Sequence, residues 1–97
     1  MRHYDFHPEA REELWETVRY YDSSGIGLGD EFVEEVAKSI SRILAFPELW
    51  QPIAPGIRRC RTKRFPYGLV YKITGEGVLI LAVMHLRREP GYWSHRT

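Results

Sequence analysis

Five of the seven residues 58–64 are cationic: Arg58, Arg59, Arg61, Lys63 and Arg64. A second basic group, His85, Arg87 and Arg88, follows the longest apolar stretch of the chain, residues 78–84. Such a concentration of positive charge suits an acidic partner, either a phosphate backbone or an acidic protein segment. Strand-like sequence follows the first run, so the charge is displayed on a fixed surface rather than a disordered tail. If 57–63 is a strand, alternation sends Arg59, Arg61 and Lys63 to one face and Arg58, Cys60, Thr62 and Arg64 to the other. His85 and Arg87 share a face by the same rule. A histidine that titrates near neutrality, beside arginines that hold phosphate and with Tyr92 assisting, could cleave a phosphodiester by general acid–base chemistry. Two plainer readings stand beside that one: the charge run as a solvated strand surface, and His85 as a hydrogen-bonded structural group.

Other chemistries find little support. His3, His7, His85, His95 and Cys60 show no metal-ligand spacing, so no metal site is expected. The segment Gly25-Ile26-Gly27-Leu28-Gly29 lacks the Lys-Ser/Thr and the preceding parallel strand of a phosphate loop. There is no nucleophile elbow and no Cys–His pattern, and no cofactor is implied.

The elements that must hold these residues can be read from periodicity. Tyr4 and Phe6 alternate with Asp5 in a short strand over 2–6. Pro8 suits the first turn of a helix, with His7 as its cap and Glu9, Glu12 and Glu13 near its positive end. Ala10, Leu14, Val18 and Tyr21 give that helix one apolar face over 8–22. Three glycines and two serines in 23–29 make a hairpin turn. Phe32, Val33, Val36, Ile40, Ile43 and Leu44 form the stripe of a second helix over about 29–46, which Pro47 ends, with Glu34, Glu35, Lys38 and Arg42 on its wet side. Pro47, Pro52, Pro55 and Gly56 read as a connector in which Leu49 and Trp50 tuck over the core edge. Strands follow over 57–63, 67–74 and 78–86, the last two joined through Gly75-Glu76-Gly77. The expected fold is α+β, a two-layer βααβββ arrangement with a helical hairpin on a small, mostly antiparallel four-stranded sheet. The tail 91–97 reads as irregular. Tyr67, Tyr92 and Trp93 would edge the basic surface and could stack bases or anchor a peptide.

Composition bounds the class. With 97 residues and 43% hydrophobic side chains, one domain over 1–97 is expected, folding without staples. The net charge of +1 hides a division: residues 1–51 carry five Lys/Arg against eleven Asp/Glu (−6), and residues 52–97 carry nine against two (+7). Cys60 is the only cysteine and the opening residues read as structure, so a reducing cytoplasm is expected. The run 78–84 is far short of the ~20 residues a membrane helix requires.

The order of elements, with the phrases Phe65-Pro66-Tyr67-Gly68-Leu69-Val70-Tyr71 and Ala82-Val83-Met84-His85-Leu86-Arg87-Arg88-Glu89-Pro90-Gly91-Tyr92-Trp93, resembles the RelE/ParE toxin superfamily of bacterial type II toxin–antitoxin modules over essentially the whole chain. The resemblance implies a small intracellular toxin wrapped by a cognate antitoxin and involved in plasmid maintenance or growth arrest. RelE-like members resemble ribonucleases that cut mRNA in the ribosome; Arg59, Arg61, Arg88 and Tyr92 match their functional positions, with His85 added from the reasoning above. Gly68 stands where that branch has a phosphate-binding arginine. ParE-like members share the scaffold without those catalytic positions and poison DNA gyrase, and the phrases around Gly68 and His85 are closer to them. The expectation is therefore a target- or antitoxin-binding basic surface of Arg58, Arg59, Arg61, Lys63, Arg64, His85, Arg87 and Arg88. A ribosome-dependent nuclease and a non-toxic relative are the alternatives.

Overall fold

The computed structural model describes residues 3–97. In chain order they form β1 (His3–Phe6), α1 (Pro8–Ser24), α2 (Leu28–Ala45), β2 (Gln51–Ala54), β3 (Ile57–Arg61), β4 (Tyr67–Ile73), β5 (Gly77–His85) and a 3-10 turn (Ser94–Arg96). Arg2, at the start of the expected first strand, lies outside the described residues. The strands make one sheet in the order β1-β5-β4-β3-β2, with β1 parallel to β5 and the other pairs antiparallel.

The α+β architecture with its helical hairpin is as the sequence led us to expect, but the sheet has five strands rather than four. The additional strand is β2, in what reads as a connector. Pro52 disguises it, and is tolerated because β2 lies at the sheet edge, where its register also shifts between Pro52 and Ala54. Trp50 packs against the core and donates its indole N–H to the Arg42 carbonyl at 3.3 Å, whereas Leu49 remains exposed.

The helix starts follow local chemistry. His7 Nδ1 accepts the Glu9 backbone N–H at 3.1 Å, capping α1 as expected. At the other end the Ser23 and Ser24 hydroxyls donate to the Tyr20 carbonyl, and the helix runs on to Ser24. Gly27, at φ +78°, makes the left-handed turn into α2. Asp22 reaches across from α1 to accept the Gly29 N–H at 3.0 Å, serving the start of α2, where Gly27 has no side chain to do so.

Alternation along the strands builds two apolar clusters, one on each face of the sheet. On the helix side Ala10, Leu14, Phe32, Val36, Ile40 and Ile43 meet Cys60, Leu69, Tyr71, Val78, Ile80 and Val83. On the other side Ile57, Val70, Leu81, Ala82 and Met84 are joined by Trp93 from the tail. Tyr71 pairs with Ile80 and Val70 with Ala82, so Leu81 is an extra residue, and the bulge puts Leu81 and Ala82 on the same face. Glu35, expected on the wet side of α2, is buried instead, because its carboxylate accepts the Lys63 backbone N–H at 3.0 Å.

Where β1 stops, the edge of β5 is finished by side chains. The last backbone bond runs from His7 N–H to the Ile80 carbonyl at 2.8 Å. Beyond it the Leu81 carbonyl accepts from Arg96 Nη1 at 2.9 Å and the Val83 N–H donates to Glu13 Oε1 at 3.0 Å. The tail is therefore held, not loose. Among the described residues no helix is long and apolar enough to cross a membrane.

Candidate functional site

Each basic residue of the 58–64 run has a different situation. Arg58, on the helix side with Cys60, donates to the Trp50 carbonyl at 2.8 Å. Strand β3 ends at Arg61, because the Thr62 hydroxyl donates to the Phe65 carbonyl at 2.6 Å and turns the chain, so Lys63 does not continue the alternation. Arg64 is exposed and paired with Glu31 at 2.6 Å, an arrangement that adds little stability in water. Arg59 and Arg61 lie on the face away from the helices, alternating with Cys60.

Arg59 lies flat on that face. Its Nη2 donates to Gln51 Oε1 at 3.1 Å, while its Nε is buried with no hydrogen-bond partner. Gly68 makes room for it: a Cβ there would come within 3.0 Å of the Arg59 Cγ and Cδ. Burial, with the neighbouring charge of Arg61, holds the Arg59 guanidinium below its ordinary pKa.

Beside Arg59 runs a groove of about 470 Å³, walled by Ile53, Met84, Leu86, Pro90 and Trp93 and reached by Arg88. The Arg88 guanidinium sits 4.0 Å over the Tyr92 ring, with that of Arg96 at 5.1 Å. The Tyr92 hydroxyl is buried without a hydrogen bond of good geometry; burial raises its pKa well above the usual phenol value and the neighbouring Glu13 adds to this. Trp93 is only 6% exposed. Tyr67 faces the helices, against Phe32 and Tyr21. The three aromatic residues expected to edge a stacking surface are thus turned inward or covered, because each is needed to close a core.

His85 stands apart from Arg59 and Arg61. Its ring meets Tyr67 edge-on at 5.1 Å, and its Nδ1 accepts the Arg87 N–H at 3.0 Å. It lines a hollow on the helix side with Glu13, Glu16, Thr17 and Tyr20, so the sheet itself separates it from Arg59 and Arg61. Arg88, at the sheet margin, borders both hollows. Among the described residues Arg59, Arg61, Arg87 and Arg88 have no carboxylate within ion-pair distance.

The residues that sequence reasoning missed form the tether of the tail. Arg96, its side chain 7% exposed, binds both oxygens of Glu13 at 2.9 and 3.0 Å, and its Nε lies 3.2 Å from Glu9 Oε2. Burial opposes the charge on Arg96, but the bonds and charges of Glu13, Tyr92 and Glu9 outweigh it and raise its pKa. His95 also reaches Glu9 at 2.9 Å, and that bond is the main reason the Glu9 carboxyl lies below its ordinary value. No local spacing links residues 83 positions apart. The groove walls were more accessible, since Met84 and Leu86 alternate along a strand already recognised.

Fold and site together define a small α+β protein whose open sheet face carries an apolar groove flanked by unpaired arginines. The family described as the ParE toxin of the type II toxin–antitoxin system parDE matches residues 4–90, and the chain belongs to this family. Among solved structures it is similar to a chain of the chromosomal ParDE toxin–antitoxin system from P. aeruginosa, at 17% identity and a TM-score of 0.71, covering 84% of this chain and 92% of that one. No curated protein sequence matches it.

Proposed function

We propose that this type II toxin is neutralised by an acidic antitoxin and, when free, arrests growth by binding a host protein such as DNA gyrase. The observation that carries this reading over mRNA cleavage is the division of the expected catalytic set. Arg59 and Arg61 lie on one face, His85 on the other, and the Tyr92 hydroxyl points into the protein. General acid–base cleavage requires the base, the acid and the phosphate-holding groups to converge within hydrogen-bond reach of one substrate. Gly68 adds to the argument, because an arginine there would compete with Arg59 for the same space. The unpaired positive charge of the second half and the negative first half favour an acidic protein partner that covers one side of the molecule.

Two measurements test the reading. The purified chain should inhibit supercoiling by gyrase, and unchanged supercoiling at large molar excess rejects gyrase as the target. Expression should arrest growth without codon-specific mRNA cuts; if such cuts appear and disappear in Arg61→Ala and Arg88→Ala variants, the nuclease reading replaces this one.

A further inference from the structure

We infer that the groove bordered by Arg59 and Arg88 holds a segment of the antitoxin in which a carboxylate lies within two residues of a large apolar side chain. The inference rests on the antitoxin partnership proposed above and names the chemistry that would recognise it. The carboxylate meets Arg59 and Arg88; the apolar side chain lies against Met84, Leu86 and Trp93.

Four features point to that occupant. First, Arg59 Nε is buried without an acceptor, and a buried N–H of a charged group is destabilising until one is supplied. A carboxylate supplies it and can take a second bond from the same planar fork. Second, no carboxylate of this chain lies within ion-pair distance of Arg59 or Arg88 among the described residues, so the complementary charge has to come from outside. Third, the remaining wall is apolar except for Ser94, which suits a side chain better than a sugar–phosphate backbone. Fourth, Trp93 is buried and Arg88 covers the Tyr92 ring, so no aromatic face is offered for a base to stack on, and a protein segment fits better than RNA. Gly68 is part of the device, since a side chain there would lift the Arg59 stem out of the groove floor.

The test selects random 12-residue displayed peptides on the purified full chain and measures binding of the best synthetic peptide by calorimetry. Selected peptides are expected to carry Asp or Glu within two positions of Leu, Ile, Phe or Trp. Affinity should fall by about 30-fold or more with Arg59→Met, and similarly when the peptide acid is replaced by its amide. Leu86→Glu, on a half-buried residue, keeps both arginines but places a negative charge in the groove, and should weaken binding too. In cells, Arg59→Met should lower the amount of co-expressed antitoxin that co-purifies with the tagged chain. The inference is overturned if no peptide is selected, if selected peptides lack an acid, if binding ignores both substitutions, or if a 12-nucleotide oligo(U) binds with the same dependence on Arg59. It is also overturned, as to the source of the segment, if Arg59→Met co-purifies with the co-expressed antitoxin as fully as the parent chain does. If the parent chain is itself harmless, the growth-arrest reading fails alone, and the peptide measurements decide the groove.

Discussion

The two faces of the sheet use the same strands and reach opposite outcomes. On the helix side, α1 and α2 cover the surface, and Tyr21, Phe32, Phe65 and Tyr67 interlock at centroid distances of 4.9–6.3 Å. On the other side only the tail closes part of the surface, held by Arg96, and the remainder is left as a groove with unpaired arginines. The difference teaches where binding capacity comes from. Among the described residues the face closed by two helices is filled by apolar and aromatic side chains, whereas a face closed by seven tail residues keeps guanidinium groups available beside apolar walls.

Four substitutions or titrations would sharpen or break that comparison. The largest effect is expected at the closed face: Phe32→Ala removes a fully buried ring from the aromatic cluster and should cost about 3–5 kcal/mol by urea unfolding. A loss below ~1 kcal/mol would mean that the cluster is not the stabilising centre. Next, Arg96→Met leaves the half-buried Glu13 carboxylate with the Val83 N–H but without its cation, and should cost about 3 kcal/mol. Hydrogen exchange should then accelerate at 91–97 and at Val83 while the helices stay protected; uniform acceleration would show that the two faces unfold as one unit.

The third test is alkaline titration. Burial pushes Tyr71 up to about 12, and Tyr21 and Tyr92 are raised by burial as well. A raised folded-state pKa means that the folded chain keeps its protons longer. The Tyr71 contribution is therefore fully present below pH 10 and is lost as pH rises from 10 towards 12, with a magnitude of about 2–3 kcal/mol. Absorbance at 295 nm should show these three phenols ionising late, coincident with loss of the fold; a single early step with an intact circular dichroism spectrum would contradict it. The smallest effect is expected from Gly68→Ala, which presses on the flexible Arg59 stem and should cost about 1 kcal/mol or less. A crystal structure of the variant should find Arg59 displaced by a few tenths of an ångström, and an unmoved Arg59 would remove Gly68 from its assigned part.

Much of the fold was legible because its signals are local. Pro8 after His7, the apolar stripe from Phe32 to Ile43 and the run before His85 each specify an element through its own periodicity. The site was legible only in part. Arg59 and Arg61 could be assigned to a common face by alternation, but Lys63 could not be kept with them, since the end of β3 depends on a hydrogen bond from Thr62 to Phe65. β2 was hidden because Pro52 in an edge strand reads like a loop.

By itself, then, the sequence determined the layer architecture and the segregation of charge, both properties of residue type and short-range spacing. Tertiary structure alone decided that His85 is parted from Arg59 by the sheet and that Arg96 closes the open edge of β5 through Glu13. Those outcomes depend on a bulge at Leu81 and on contacts between residues more than eighty positions apart, which no local period encodes.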